Sequence, residues 1–99
     1  MKYKLTMRSR DLTLRHYNPY GINTVFCYAI EIPRSEIYKD HNWADLQMDL
    51  RATMGPAYLL GSTRPGRNRR YAVVRALGAV VRLQFRKDRD RTLILMKNG

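Results

Sequence analysis

The sequence is poor in acid. Eight Asp and Glu stand against nineteen Lys and Arg, leaving a formal charge of +11 at pH 7. From Leu50 to Lys87 there is no carboxylate at all. Cysteine is nearly missing too. Cys27 stands alone, which excludes an internal disulfide and a cysteine-based zinc site and points to a reducing compartment. It lies in an apolar run, where a free thiol is expected to act as an inert core residue. Long hydrophobic runs are also lacking: no stretch of about 18 apolar residues could span a membrane. Residues 1–8 alternate polar and apolar instead of forming the apolar run of a secretory signal, so a cytoplasmic location is expected. No glycine-rich phosphate loop, Gly-x-Ser-x-Gly or His-Glu-x-x-His pattern occurs. His41 beside Asp40 is not spaced for two ligands on one helical face, so neither a metal nor a cofactor is expected.

The chain has 99 residues, which suits a single domain, 1–99, and excludes a two-domain enzyme or a repeat array. Hydrophobic residues make up 44%, enough to place the charge on a folded body rather than a disordered tail. The charge is uneven. Residues 31–50 carry an acidic excess, whereas residues 51–99 carry twelve basic side chains and two acids. Arginine outnumbers lysine 14 to 5. Its planar fork suits bidentate phosphate and guanine contacts and stacks on bases, so the bias favours nucleic acid over generic solubility.

Periodicity predicts a strand over 2–8, with Tyr3, Leu5 and Met7 inward and Lys2, Lys4, Thr6 and Arg8 outward. A second short run, Leu12 and Leu14, pairs with it as a hairpin, and 17–23 reads as a loop. Thr24 to Ile32 is apolar on both sides and reads as a central strand ended by Pro33. A helix is predicted over 42–54. Asn42 is its expected N-cap, Asp45 lies in its first turn, and Gly55-Pro56 stops it. Trp43, Leu46, Leu50 and Met54 share one face, which makes Trp43 a core anchor in this reading. Ala57–Gly61, Tyr71–Arg75 and Ala79–Phe85 follow as strands, the last two around a turn at Leu77-Gly78. Residues 88–97 read as a short C-terminal helix capped at Asp88, with a strand over 92–96 as the alternative. The fold class is therefore α+β, an antiparallel sheet of about five strands with the 42–54 helix on one face.

Two basic constellations stand out. Arg64, Arg67, Arg69 and Arg70, followed by Tyr71, surround a Pro65-Gly66 turn and form a cationic loop that suits a phosphate backbone. The second is a predicted open sheet face. It carries Tyr71 and Arg75 from one strand, Arg82 and Arg86 from the next, and Lys2, Lys4 and Arg8 from the first, with Arg10 and Arg15 nearby. This layout is similar in general terms to sheets that bind RNA, but it lacks the aromatic pair of an RNA-recognition motif, so no family follows. The expected function is non-catalytic binding of nucleic acid, RNA ahead of DNA. The competing reading is a module that docks an acidic protein surface, with Glu31–Asp49 pairing a second copy into a homodimer. A third is a metal-independent ribonuclease using His16 with Arg15 and Tyr17.

Overall fold

The computed structural model describes residues 3–61 and 69–98. Four strands form one antiparallel sheet: β1 (Arg8–Asp11), β2 (Tyr28–Pro33), β3 (Tyr71–Val74) and β4 (Val80–Phe85), in the order β1-β2-β4-β3. Three helices, α1 (Arg34–Ile37), α2 (Asn42–Met54) and α3 (Asp88–Asn98), contribute to the core on one face. The class is α+β, as the periodicity indicates, with four strands in place of about five.

The register decides which residues face the helices. Tyr28, Ile30 and Ile32 of β2 lie opposite Phe85, Leu83 and Val81 of β4. Directly opposed residues of an antiparallel pair share a face. With Leu46, Leu50 and Met54 of α2, Ile37 of α1 and Ile94 of α3, these side chains form the main core. Each fully buried Leu or Ile contributes roughly 1.5–3 kcal/mol by leaving water.

The second face is covered, not open. Residues 12–27, including a 3-10 turn at Pro19–Thr24, lay Ile22 and Phe26 over Ala72 and Val74 in a smaller core. Gln84 is fully buried there and donates to the Asn23 side chain and the Phe26 carbonyl, at 2.9 and 2.8 Å. Arg82 donates to the Tyr17 carbonyl at 2.9 Å. The loop is thus held on the sheet by polar contacts to its Tyr17 and Phe26 carbonyls and its Asn23 side chain.

Several expectations are corrected. Residues 3–7 are not a strand, although the alternation holds: Tyr3 and Leu5 are buried while Lys4 and Thr6 are exposed. Tyr3 is anchored to Asp49 at 2.9 Å, and Leu5 is bracketed by both amide atoms of Asn98, so the segment packs on helices instead of a neighbouring strand. The strand pairs from Arg8 instead. The central strand starts at Tyr28, because Thr24 closes the 3-10 turn. Cys27 is half-buried rather than a core residue. Ala57–Gly61 makes a single bridge, Tyr58 to Ala72, in place of a strand. Helix α2 spans 42–54 as expected, but His41 occupies the cap position without a side-chain bond. Asn42 turns its amide to the Glu36 carbonyl instead. The C-terminal segment is helical, with Asp88 and Asp90 in its first turn, where the helix dipole favours anions.

Candidate nucleic-acid interface

The fold disperses the predicted sheet face. Tyr71 pairs with Phe85 and Val73 with Leu83, so both face the helices, as does the main core. Tyr71 is buried, and burial pushes its hydroxyl pKa upward against the opposing pull of the Arg51 charge. Arg82 does lie on the other face with Arg10, but it is buried beneath the 12–27 loop and paired to Glu31 at 3.3 Å. Arg10 takes the second Glu31 oxygen at 3.4 Å. Neither Tyr71 nor Arg82 is open to a polyanion, which corrects their place in the predicted binding set.

Lys4, Arg8 and Arg15 are exposed. Arg8 is on β1, the edge strand farthest from β3. Arg15 belongs to the loop over the second face, next to His16, whose Nδ1 accepts from the Thr13 backbone N–H at 3.0 Å. Lys2, Arg64 and Arg67 lie outside the described residues.

Arg70 donates twice to the buried Asp90 carboxylate, through Nη2 at 2.7 Å and Nε at 3.2 Å, and once to the Thr53 carbonyl. The Asp90 bond raises its pKa further, with burial opposing. Arg91 bridges Asp11 and Asp88, at 2.6 and 2.7 Å, above the Tyr28 ring. Burial works against the Arg91 charge, but the two carboxylates outweigh it and its pKa rises. Both arginines are therefore fixed in the fold.

A different set of cations gathers around β3. Arg75, just past its end, stands over the rings of Tyr38 and Trp43, with centroid distances of 5.7 and 5.8 Å, and donates to the Tyr38 hydroxyl at 3.0 Å. Arg34 lies over Tyr38 and donates to the Arg75 carbonyl. Trp43 is half-buried: it packs against the main core but also forms part of a groove wall, so core anchor describes only part of its role. At the other end, Arg86 donates to the Arg69 carbonyl at 2.6 Å and stands 4.9 Å from the Phe26 ring centroid. Phe26 in turn meets Tyr58 at 5.7 Å.

Between these ends lies a groove of about 440 Å³. Helix α2 supplies Trp43, Gln47 and Arg51, the chain after it supplies Pro56 to Leu60, and β3 with its flanks supplies Arg69, Val73 and Arg75. Among the described residues, the lining holds three arginines, two aromatic rings and no Asp, Glu or His. Among the described residues, Arg51 and Arg69 have no side-chain ion pair or hydrogen bond. Sequence reasoning missed Arg51 and Tyr58, since each reads as an ordinary surface residue until the chain after α2 returns beside β3. The absence of acid from Leu50 to Lys87 was the available signal. Among the described residues, no three His, Cys, Asp or Glu come together as a metal-ligand set, and no helix is long and apolar enough to cross a membrane. Comparison of the chain with family models, curated proteins and solved structures gave no match.

Proposed function

We propose that the chain is a non-catalytic nucleic-acid-binding protein, with RNA taken ahead of DNA, that works through the groove between α2 and β3. The observation that carries this reading is the groove's lining: Arg51, Arg69 and Arg75 beside Trp43 and Tyr58, with no carboxylate among them. Guanidiniums neutralise phosphates, aromatic faces accept bases, and an acid-free wall imposes no repulsion on a polyanion.

The experiment is a salt series. Labelled single-stranded RNA, single-stranded DNA and duplex DNA are titrated with the protein at several salt concentrations. With about five phosphates neutralised, log affinity falls against log salt at a slope of roughly −3.5 for a single strand, from about 0.7 per contact. A slope near zero with all three overturns the reading and favours an acidic protein surface as the partner.

A further inference from the structure

Resting on that nucleic-acid reading, we propose that the α2–β3 groove takes an unpaired base, so that the ligand is a single strand rather than a duplex. The groove is concave, and its volume lies within the ~300–1,000 Å³ typical of sites that enclose small planar ligands. A duplex presents phosphates on a convex surface with its bases stacked inside, and it cannot place a base face in such a recess. A single strand can turn a base out at the cost of little stacking.

The chemistry of the walls is divided accordingly. Trp43 and Tyr58 supply rings, Leu60 and Val73 supply apolar surface, and Gln47 supplies an amide able both to donate and to accept. Arg51 and Arg69 make no side-chain hydrogen bond or ion pair among the described residues, so a phosphate on either side of the base meets cations that give up no internal bond. Arg75 differs. It is already held by Tyr38 and lies over Trp43, which presents its planar guanidinium as a further stacking surface at a fixed place. The rings do not act as freely exposed side chains. Tyr58 is braced by Phe26 and Trp43 by Tyr38, at 5.7 and 6.3 Å between centroids, so little ordering remains to oppose binding.

The chain contains a single tryptophan, and it lies in this groove, so intrinsic fluorescence reports on the site directly. The probes are a 10-residue oligouridylate, a hairpin duplex of equal charge and uridine monophosphate. Quenching of Trp43 by oligouridylate and not by the duplex is the expected result. Arg51→Gln and Arg69→Gln, which break no side-chain hydrogen bond or ion pair among the described residues, each weaken oligouridylate binding about three- to tenfold and flatten the salt slope by about 0.7. Arg8→Gln, on the far edge strand, leaves the quenching curve unchanged. If both nucleic acids bind with a normal salt slope and Trp43 is unquenched, the base site is overturned while nucleic-acid binding stands. If neither binds at low salt, both readings fall. Quenching by uridine monophosphate as tight as that by the oligomer also overturns the proposal, since the groove is then a mononucleotide pocket.

Discussion

Glu31 of β2 lies directly opposite Arg82 of β4, and the two pair at 3.3 Å where both side chains are nearly out of reach of water. Arg10 holds the other carboxylate oxygen, and Arg82 continues to the Tyr17 carbonyl. One carboxylate thus answers two guanidiniums, and the group ties the 12–27 loop to the sheet. Taking charges out of water costs several kcal/mol per ion, so the pair specifies how the loop seats more than it adds stability.

Breaking the pair is nonetheless severe. Glu31→Ala leaves Arg82 buried without its counter-ion and is expected to cost about 3–5 kcal/mol. Arg82→Gln is expected to fall in the same range, instead of acting as a mild surface change. The double variant Glu31→Leu with Arg82→Met recovers part of the loss. Urea denaturation midpoints check all three, and a cost under about 0.5 kcal/mol for Glu31→Ala, as surface changes show, would falsify the buried pair.

Stability should also fall in alkali. Burial and then the bond to Asp49 raise the Tyr3 pKa well above its usual 10, and burial raises that of Tyr71. A group whose folded pKa lies above its unfolded value contributes stability that is complete below about pH 10 and is lost as pH climbs through the folded value. Urea midpoints should therefore hold steady up to about pH 9 and decline above about pH 10. Tyr3→Phe loses about 1 kcal/mol of hydrogen bonding at neutral pH, yet it declines less steeply above pH 10. Parallel alkaline slopes in the two proteins would show that Tyr3 contributes nothing to the decline.

How much of this was legible depended on periodicity. Trp43, Leu46, Leu50 and Met54 recur at helical spacing and Gly55-Pro56 ends the run, so α2 could be read with its exact bounds. Tyr71 to Val74 is apolar throughout and contains no alternation. Only the pairing of Tyr71 with Phe85 shows which side faces the helices, and that pairing is a long-range fact. The 12–27 loop was illegible as a lid over β4 because a loop contributes single residues, Ile22 and Phe26, with no repeat. The same limit applies to charge. Summed charge cannot distinguish Arg70 and Arg91, which are paired to Asp90, Asp11 and Asp88, from Arg51 and Arg69, which form no ion pair among the described residues.

The wall of the groove depends on a backbone turn. Gly55 has φ 80° and ψ −162°, a region that side chains essentially exclude. No described atom lies within 4 Å of a methyl added there, so crowding plays no part. Gly55→Ala is expected to cost about 1–3 kcal/mol through backbone strain alone. Because Pro56 to Leu60 line the groove directly afterwards, oligouridylate affinity should drop as well, even at temperatures where the variant is fully folded. A variant with wild-type stability would mean that the turn relaxes freely.

Asp90 gives a prediction of opposite sign for stability and binding. Its carboxylate is buried and holds Arg70, whose own side chain is 41% exposed. Asp90→Ala removes two charge-assisted bonds and an anion from the first turn of α3. The cost is moderated because the released guanidinium can return to water, and about 1–2 kcal/mol is expected. The freed Arg70 adjoins Arg69 in the chain and adds a cation at the rim of an acid-free surface. Affinity for a single strand should therefore rise severalfold at low salt, with the slope steeper by about 0.7. Arg70→Gln alone should lower stability and leave affinity nearly unchanged, since Arg70 is occupied in the wild type. Combining the two substitutions should return affinity to the wild-type value. An Asp90→Ala protein that is less stable but binds with unaltered affinity and slope would place Arg70 off the path of the bound strand, confining the phosphate contacts to the groove side of Arg69.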